Sequence, residues 1–146
     1  MASKNEKIFQ WFDQGHFKSA ILGKGAYFIP DVTYRDHHDR LLIFQQLFLW
    51  LKDNQTKFQH SEILYDCLVN IIQSENINDI LDVVWCYLLI AEEQHFQLGK
   101  ETENIELNLA DQVIKHGARI AESSELRELV LTLAEKLPNF KKMLNL

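Results

Sequence analysis

Arg35-Asp36-His37-His38-Asp39-Arg40 sets two imidazoles among carboxylates and guanidiniums, the residue types of a metal or proton-transfer site. A metal pair on one helix needs ligands three or four residues apart, and no second His or Cys stands at that spacing from His37 or His38. Phosphohydrolases that use a His-Asp pair add further His and Asp from other helices, and nothing here specifies those. The segment reads instead as the solvated first turn of a helix, its acids complementing the helix dipole. Glu92-x-x-His95 is half of a carboxylate-bundle metal pattern, but the second half is missing, since Gly15 interrupts the nearest imitation, Asp13-x-x-His16. Gly23-Lys24-Gly25 lacks the spacing and the following Ser or Thr of a phosphate loop. No nucleophile elbow, zinc-helix motif or dinucleotide fingerprint occurs. The reading is of a protein that is not an enzyme, with no catalytic residue, metal ligand or cofactor assigned.

Charge is the more informative chemistry. The chain carries a formal net charge of −6, which disfavours nucleic acid as a partner. Residues 53–111 hold twelve Asp and Glu against Lys57 and Lys100, whereas the segments on either side are each net basic. Acids at helix N-termini are stabilised by the dipole, which accounts for Glu62, Asp79, Asp82, Glu103 and Glu106. Glu92 and Glu93 fall at the unfavourable C-terminal end of their helix, with only Lys100 near in sequence to offset them. Acids held against the dipole suggest a surface kept for a basic partner. The expected surface lies between residues 60 and 106. It is built from Glu62, Tyr65, Asp66, Glu75, Asp79, Asp82, Glu92, Glu93, Glu101 and Glu103, with Tyr65 as an aromatic anchor and Tyr87 either a second anchor or part of the core.

The elements that must carry these residues are helical. Five Gly and two Pro in 146 residues are too few for the turns of an all-β fold. Ser3 and Glu6 form a capping box ahead of Ile8, Trp11 and Phe12, and Gly15 stops that helix. A short turn follows at Phe17–Leu22, then an extended linker at Ala26–Pro30. Thr33 caps a helix to about Lys52 that is apolar on nearly every side, the mark of a buried helix. Ile63, Leu64, Cys67, Leu68, Ile71 and Ile72 form a one-sided stripe. The segment 78–95 is apolar and β-branched, and its length decides for helix over strand. A fifth helix is expected over 103–122, and a sixth from Ser123 or Ser124 to Pro138, with a short amphipathic piece behind it.

These patterns predict one all-α domain spanning residues 1–146, a compact bundle of about six helices, with stacked helical hairpins as the alternative packing. Phe44, Phe48, Leu68, Ile71, Val84, Leu88, Leu129 and Leu133 are its expected core. Cys67 and Cys86 read as buried thiols. No apolar run approaches the roughly 18–20 residues of a membrane span, and no secretory leader is visible, so a cytoplasmic location is expected.

A motif-free helical chain with acids at Glu75-Asn76-Ile77-Asn78-Asp79, Asp82, Glu92-Glu93 and Glu101-Thr102-Glu103 is similar to immunity proteins of bacterial contact-dependent and other polymorphic toxin systems. That resemblance implies a non-catalytic inhibitor whose carboxylates meet the basic, nucleic-acid-binding cleft of a toxin, and no membrane or nucleic-acid partner. The alternative is a helical adaptor or oligomeric scaffold, using an apolar surface of Ile43, Leu47 and Trp50.

Overall fold

The computed structural model describes residues 4–23, 37–53, 59–95 and 101–146, and within them the chain is all-α. The helices are α1 (Lys4–Asp13), α2 (Phe17–Leu22), α3 (His37–Asp53), α4 (Gln59–Ser74), α5 (Ile77–Glu93), α6 (Glu101–Lys115), α7 (Gly117–Ala121), α8 (Ser124–Lys136) and α9 (Pro138–Met143). Ser3, Thr33, the linker at Ala26–Pro30 and the side chains of Glu6, His37 and His38 lie outside what is described.

Local chemistry sets most boundaries. Gly15 and Gly23 stop α1 and α2 with φ of 80° and 68°, a left-handed conformation that costs glycine nothing. Asn76 caps α5, its Oδ1 accepting from the Asp79 amide at 2.9 Å. Ser123 does the same for α8 through the Leu126 amide at 3.3 Å. Pro138 opens α9, where its missing N–H is not needed. Val83–Ile90 is helical, as its length demanded. The helix expected over 103–122 is two, broken at His116 (φ −104°, ψ 24°) just before Gly117, the weakest helix former in the run.

Side-chain bonds between helices give their directions. Arg40, near the start of α3, pairs with Asp82, near the start of α5. Lys52, in the last turn of α3, donates to Gln94 at the end of α5 (2.9 Å). Both pairs are 42 residues apart, so α3 and α5 run parallel in constant register. Between them the rings of Phe44 and Phe48 meet Tyr87 at 6.4 and 5.9 Å. α8 repeats the relation to α5. Arg119, just ahead of α8, reaches Asn78 in the first turn of α5, and Lys136, at the end of α8, reaches Glu92 in its last turn. α4 and α6 run the other way, since the end of α4 turns directly into the start of α5 and the end of α6 leads to α7 at that same end.

The result is two layers. α1, α3, α5 and α8 form one, and α2, α4, α6 and α9 the other, each helix packed on the next of its own layer. This is the stacked-hairpin form of the expected helical packing, with each hairpin burying its apolar face on its neighbours. α3 lies against α1, α2 and α5, which explains why it is apolar on so many sides. Phe44, Phe48, Leu68, Ile71, Val84, Leu88 and Leu133 are buried, while Leu129 is only half-buried. Ile43, Leu47 and Trp50 belong to this core, Trp50 meeting Phe12 and Phe17 and donating Nε1–H to Asp13 (2.7 Å). The apolar adaptor surface expected from these three residues is therefore corrected: they face inward.

Both cysteines are free thiols, Cys86 buried and Cys67 half-buried. Burial pushes the Cys67 thiol up to about 12, with Lys18 opposing weakly, and burial followed by the Asp82 charge pushes Cys86 up as well. Only the thiolate reacts. Iodoacetamide at pH 8 should leave both cysteines of the native protein intact while modifying both in denaturant. The same shift has a stability consequence. The unfolded Cys67 ionises near 9 and the folded one near 12, so its stabilising contribution is complete below pH 9 and is lost as pH rises through that interval. Fast native labelling at pH 8 would contradict this.

Candidate protein-interaction edge

The ten residues expected to form one acidic surface fall into different environments. Asp79 and Asp82 sit at the N-terminal end of α5 and are occupied by Arg40. That guanidinium is buried; it pairs with Asp82, stands 3.5 Å from Asp79, and donates Nε–H to the carbonyl of Ile21 at 3.0 Å. Cys86 Sγ adds a 3.8 Å contact to Asp82. The cluster joins α2, α3 and α5 and is a structural tie. It also corrects the reading of Arg35–Arg40 as a solvated turn: Arg40, at least, is buried.

Glu92 is the second correction. It reads from sequence as an acid held against its helix dipole for a basic partner, yet its carboxylate accepts from Lys136 Nζ of this same chain at 2.8 Å. That hydrogen bond, reinforced by the lysine's charge, holds its carboxyl below the usual range. Glu106, read from sequence as a dipole-stabilised acid, is buried against α9. Its Oε2 accepts from the Phe140 amide at 2.8 Å, so it caps a helix whose own N-cap residue, Leu137, has no oxygen side chain. Tyr65 is 8% exposed and so is not the surface anchor expected of it, while Tyr87 is fully buried, the core alternative of its two readings. Glu75 lies half-buried at the α4–α5 turn. Glu101 begins α6, and its side chain lies outside the description.

Four of the expected acids remain exposed, without an ion-pair partner among the described residues: Glu62 and Asp66 on α4, Glu93 on α5 and Glu103 on α6. The topology brings them to one edge. Glu62 and Asp66 lie in the N-terminal half of α4 and Glu103 in the first turn of α6, the end at which α5 terminates with Glu93. Gln73 on α4 donates to Asn108 on α6 at 2.9 Å, a register of 35 residues. Followed back along these parallel helices, Asp66 falls opposite the first turn of α6. Asp53, exposed as the last residue of α3, reaches the same edge because α3 and α5 end together. Sequence counting placed Asp53 in the acidic segment, but only the 42-residue register would have set it beside Glu93.

Of the described lysines at this edge, Lys136 is paired with Glu92, and Lys52 is held by Gln94 with its charge uncancelled. Among the described residues, exposed carboxylates outnumber uncancelled bases where α3, α4, α5 and α6 meet, an arrangement suited to charge-guided encounter. Among the described residues no three His, Cys, Asp or Glu side chains converge as a metal-binding group, and no helix is long and apolar enough to cross a membrane. Comparison with family models, with curated proteins and with solved structures finds no match.

Proposed function

We propose that the chain is a non-catalytic binding protein, of the immunity-protein kind, that neutralises a basic toxin domain by seating its acidic edge over the toxin's substrate-binding cleft. One observation carries this reading: Glu62, Asp66, Glu93 and Glu103, drawn from three helices, share an edge and have no ion-pair partner among the described residues. Carboxylates kept together at the surface repel one another, and a cleft lined with Lys and Arg for nucleic acid offsets that repulsion. In this mechanism the acids speed encounter, while close packing around them excludes substrate.

The partner sought is a basic toxin domain encoded beside this gene, and its activity is assayed with and without this protein. Inhibition should be stoichiometric. Association should slow by about 10–100-fold when Glu62, Asp66, Glu93 and Glu103 are changed to Gln or Asn, or when salt is raised. All four side chains are exposed, so thermal stability should change little, by no more than the roughly 0.3–1 kcal/mol that the helix dipole gives each of Glu62 and Glu103. An association rate indifferent to both changes would reduce the acidic edge to a solvated surface.

A further inference from the structure

A different face carries an independent inference. Large apolar side chains are exposed at few places among the described residues, and four of them gather on one side of the second layer: Leu107 (48% exposed) and Ile114 (64%) on α6, Met143 on α9 and Leu146 just beyond it. Leu107 and Ile114 are seven residues apart and share the outward side of α6, midway between Asn108, which is bonded to α4, and Glu106, which is bonded to α9. Asp111 is exposed on the same side. α9 lies beside α6 and presents exposed Lys141 and Lys142. Neither these lysines nor Asp111 has an ion-pair partner among the described residues.

The two helices are complementary to each other's outward sides. α9 starts at the end where α8 meets Glu92 and runs back parallel to α6, with Glu106 opposite Phe140. A two-fold axis parallel to both helices and between them sets α6 of one copy over α9 of a second, and the reverse, in that same register. Asp111 then comes within a helical turn of the second copy's Lys142. Leu107 meets Met143, and Ile114 meets Leu146. One face satisfies itself twice, which is the requirement of an isologous contact.

We infer that the outward side of α6 and α9 is a self-association surface on which a second copy of this chain docks about a two-fold axis. The face is about 20 Å wide and runs about 20 Å along α6 but only about 9 Å along the six-residue α9, from the helix rise and diameter. That is below the roughly 800 Å² per partner of a standard interface, so the dimer is weak and exchanges rapidly. It uses none of the four acids of the proposed toxin-binding edge, and the two readings stand or fall separately.

Sedimentation of the full chain from about 10 µM to about 500 µM at low salt should show a reversible monomer–dimer equilibrium with a midpoint on the order of 100 µM. Leu107→Ser with Ile114→Ser should weaken it at least ~10-fold, as should Lys142→Glu alone. Asp111→Lys added to Lys142→Glu should restore it, because both symmetry-related pairs between positions 111 and 142 are then opposite in charge again. All substituted residues are exposed, and circular dichroism checks that each variant folds. A chain that stays monomeric throughout overturns the proposal. So does a dimer indifferent to these substitutions, a charge exchange that fails to restore it, or a face that binds a different basic protein and not its own copy.

Discussion

Arg40→Met is expected to destabilise the protein by about 3 kcal/mol, the lower end of the roughly 3–5 kcal/mol seen when one partner of a buried ion pair is removed. The lower end applies because Asp82 keeps 23% of its side chain exposed, so water relieves part of the stranded charge. The methionine side chain fills much of the space but leaves Asp79 and Asp82 side by side on one face of α5 without the guanidinium between them, and the Ile21 carbonyl without its donor. Asp82→Leu on top of Arg40→Met should recover most of the loss, since two apolar groups that replace a buried pair carry no desolvation penalty. Urea denaturation of the parent, the single and the double variant measures this directly. A single variant within about 0.5 kcal/mol of the parent would mean that Arg40 is ordinary surface.

Leu68→Ala should cost about 2–5 kcal/mol, because Leu68 is buried in the core and its neighbours, held in two packed layers, close only partly over the lost methyl groups. Leu107→Ala, the same substitution at an exposed position on α6, should stay within about 0.5 kcal/mol. The contrast matters more than either value: equal effects at the two sites would place the apolar stripe of α4 on the wrong side.

The stripe on α4 was legible because a single helix displays it: Leu64, Leu68, Ile71 and Ile72 recur with the period of one face. The stop at Gly15 and a cap at Ser123 or Ser124 were legible for the same reason, each being a local chemical event. What escaped was every interaction that joins positions some forty residues apart. Local rules compare a residue with its neighbours three and four away, so Arg40 read as a solvated turn, and Glu92 as an acid held against its dipole. Their partners, Asp82 and Lys136, are 42 and 44 residues distant. Glu106 escaped similarly, since nothing in its own helix announces that it caps another. The acidic edge was half legible. Composition located the carboxylates, but the parallel register decides which ones the fold consumes and which it leaves at the surface.

That register also bears on how the molecule comes apart. A helix in the middle of a stack is held on both flanks, whereas one at either end is held on a single flank. Loss of structure should then spread as a zipper opens, from the outer helices toward α3, α4, α5 and α6, and amide hydrogens of those inner helices should be the last to exchange. All four acids proposed to grip a toxin belong to these inner helices, α4, α5 and α6, so a partner clasping that edge would fasten the zipper at its most durable teeth.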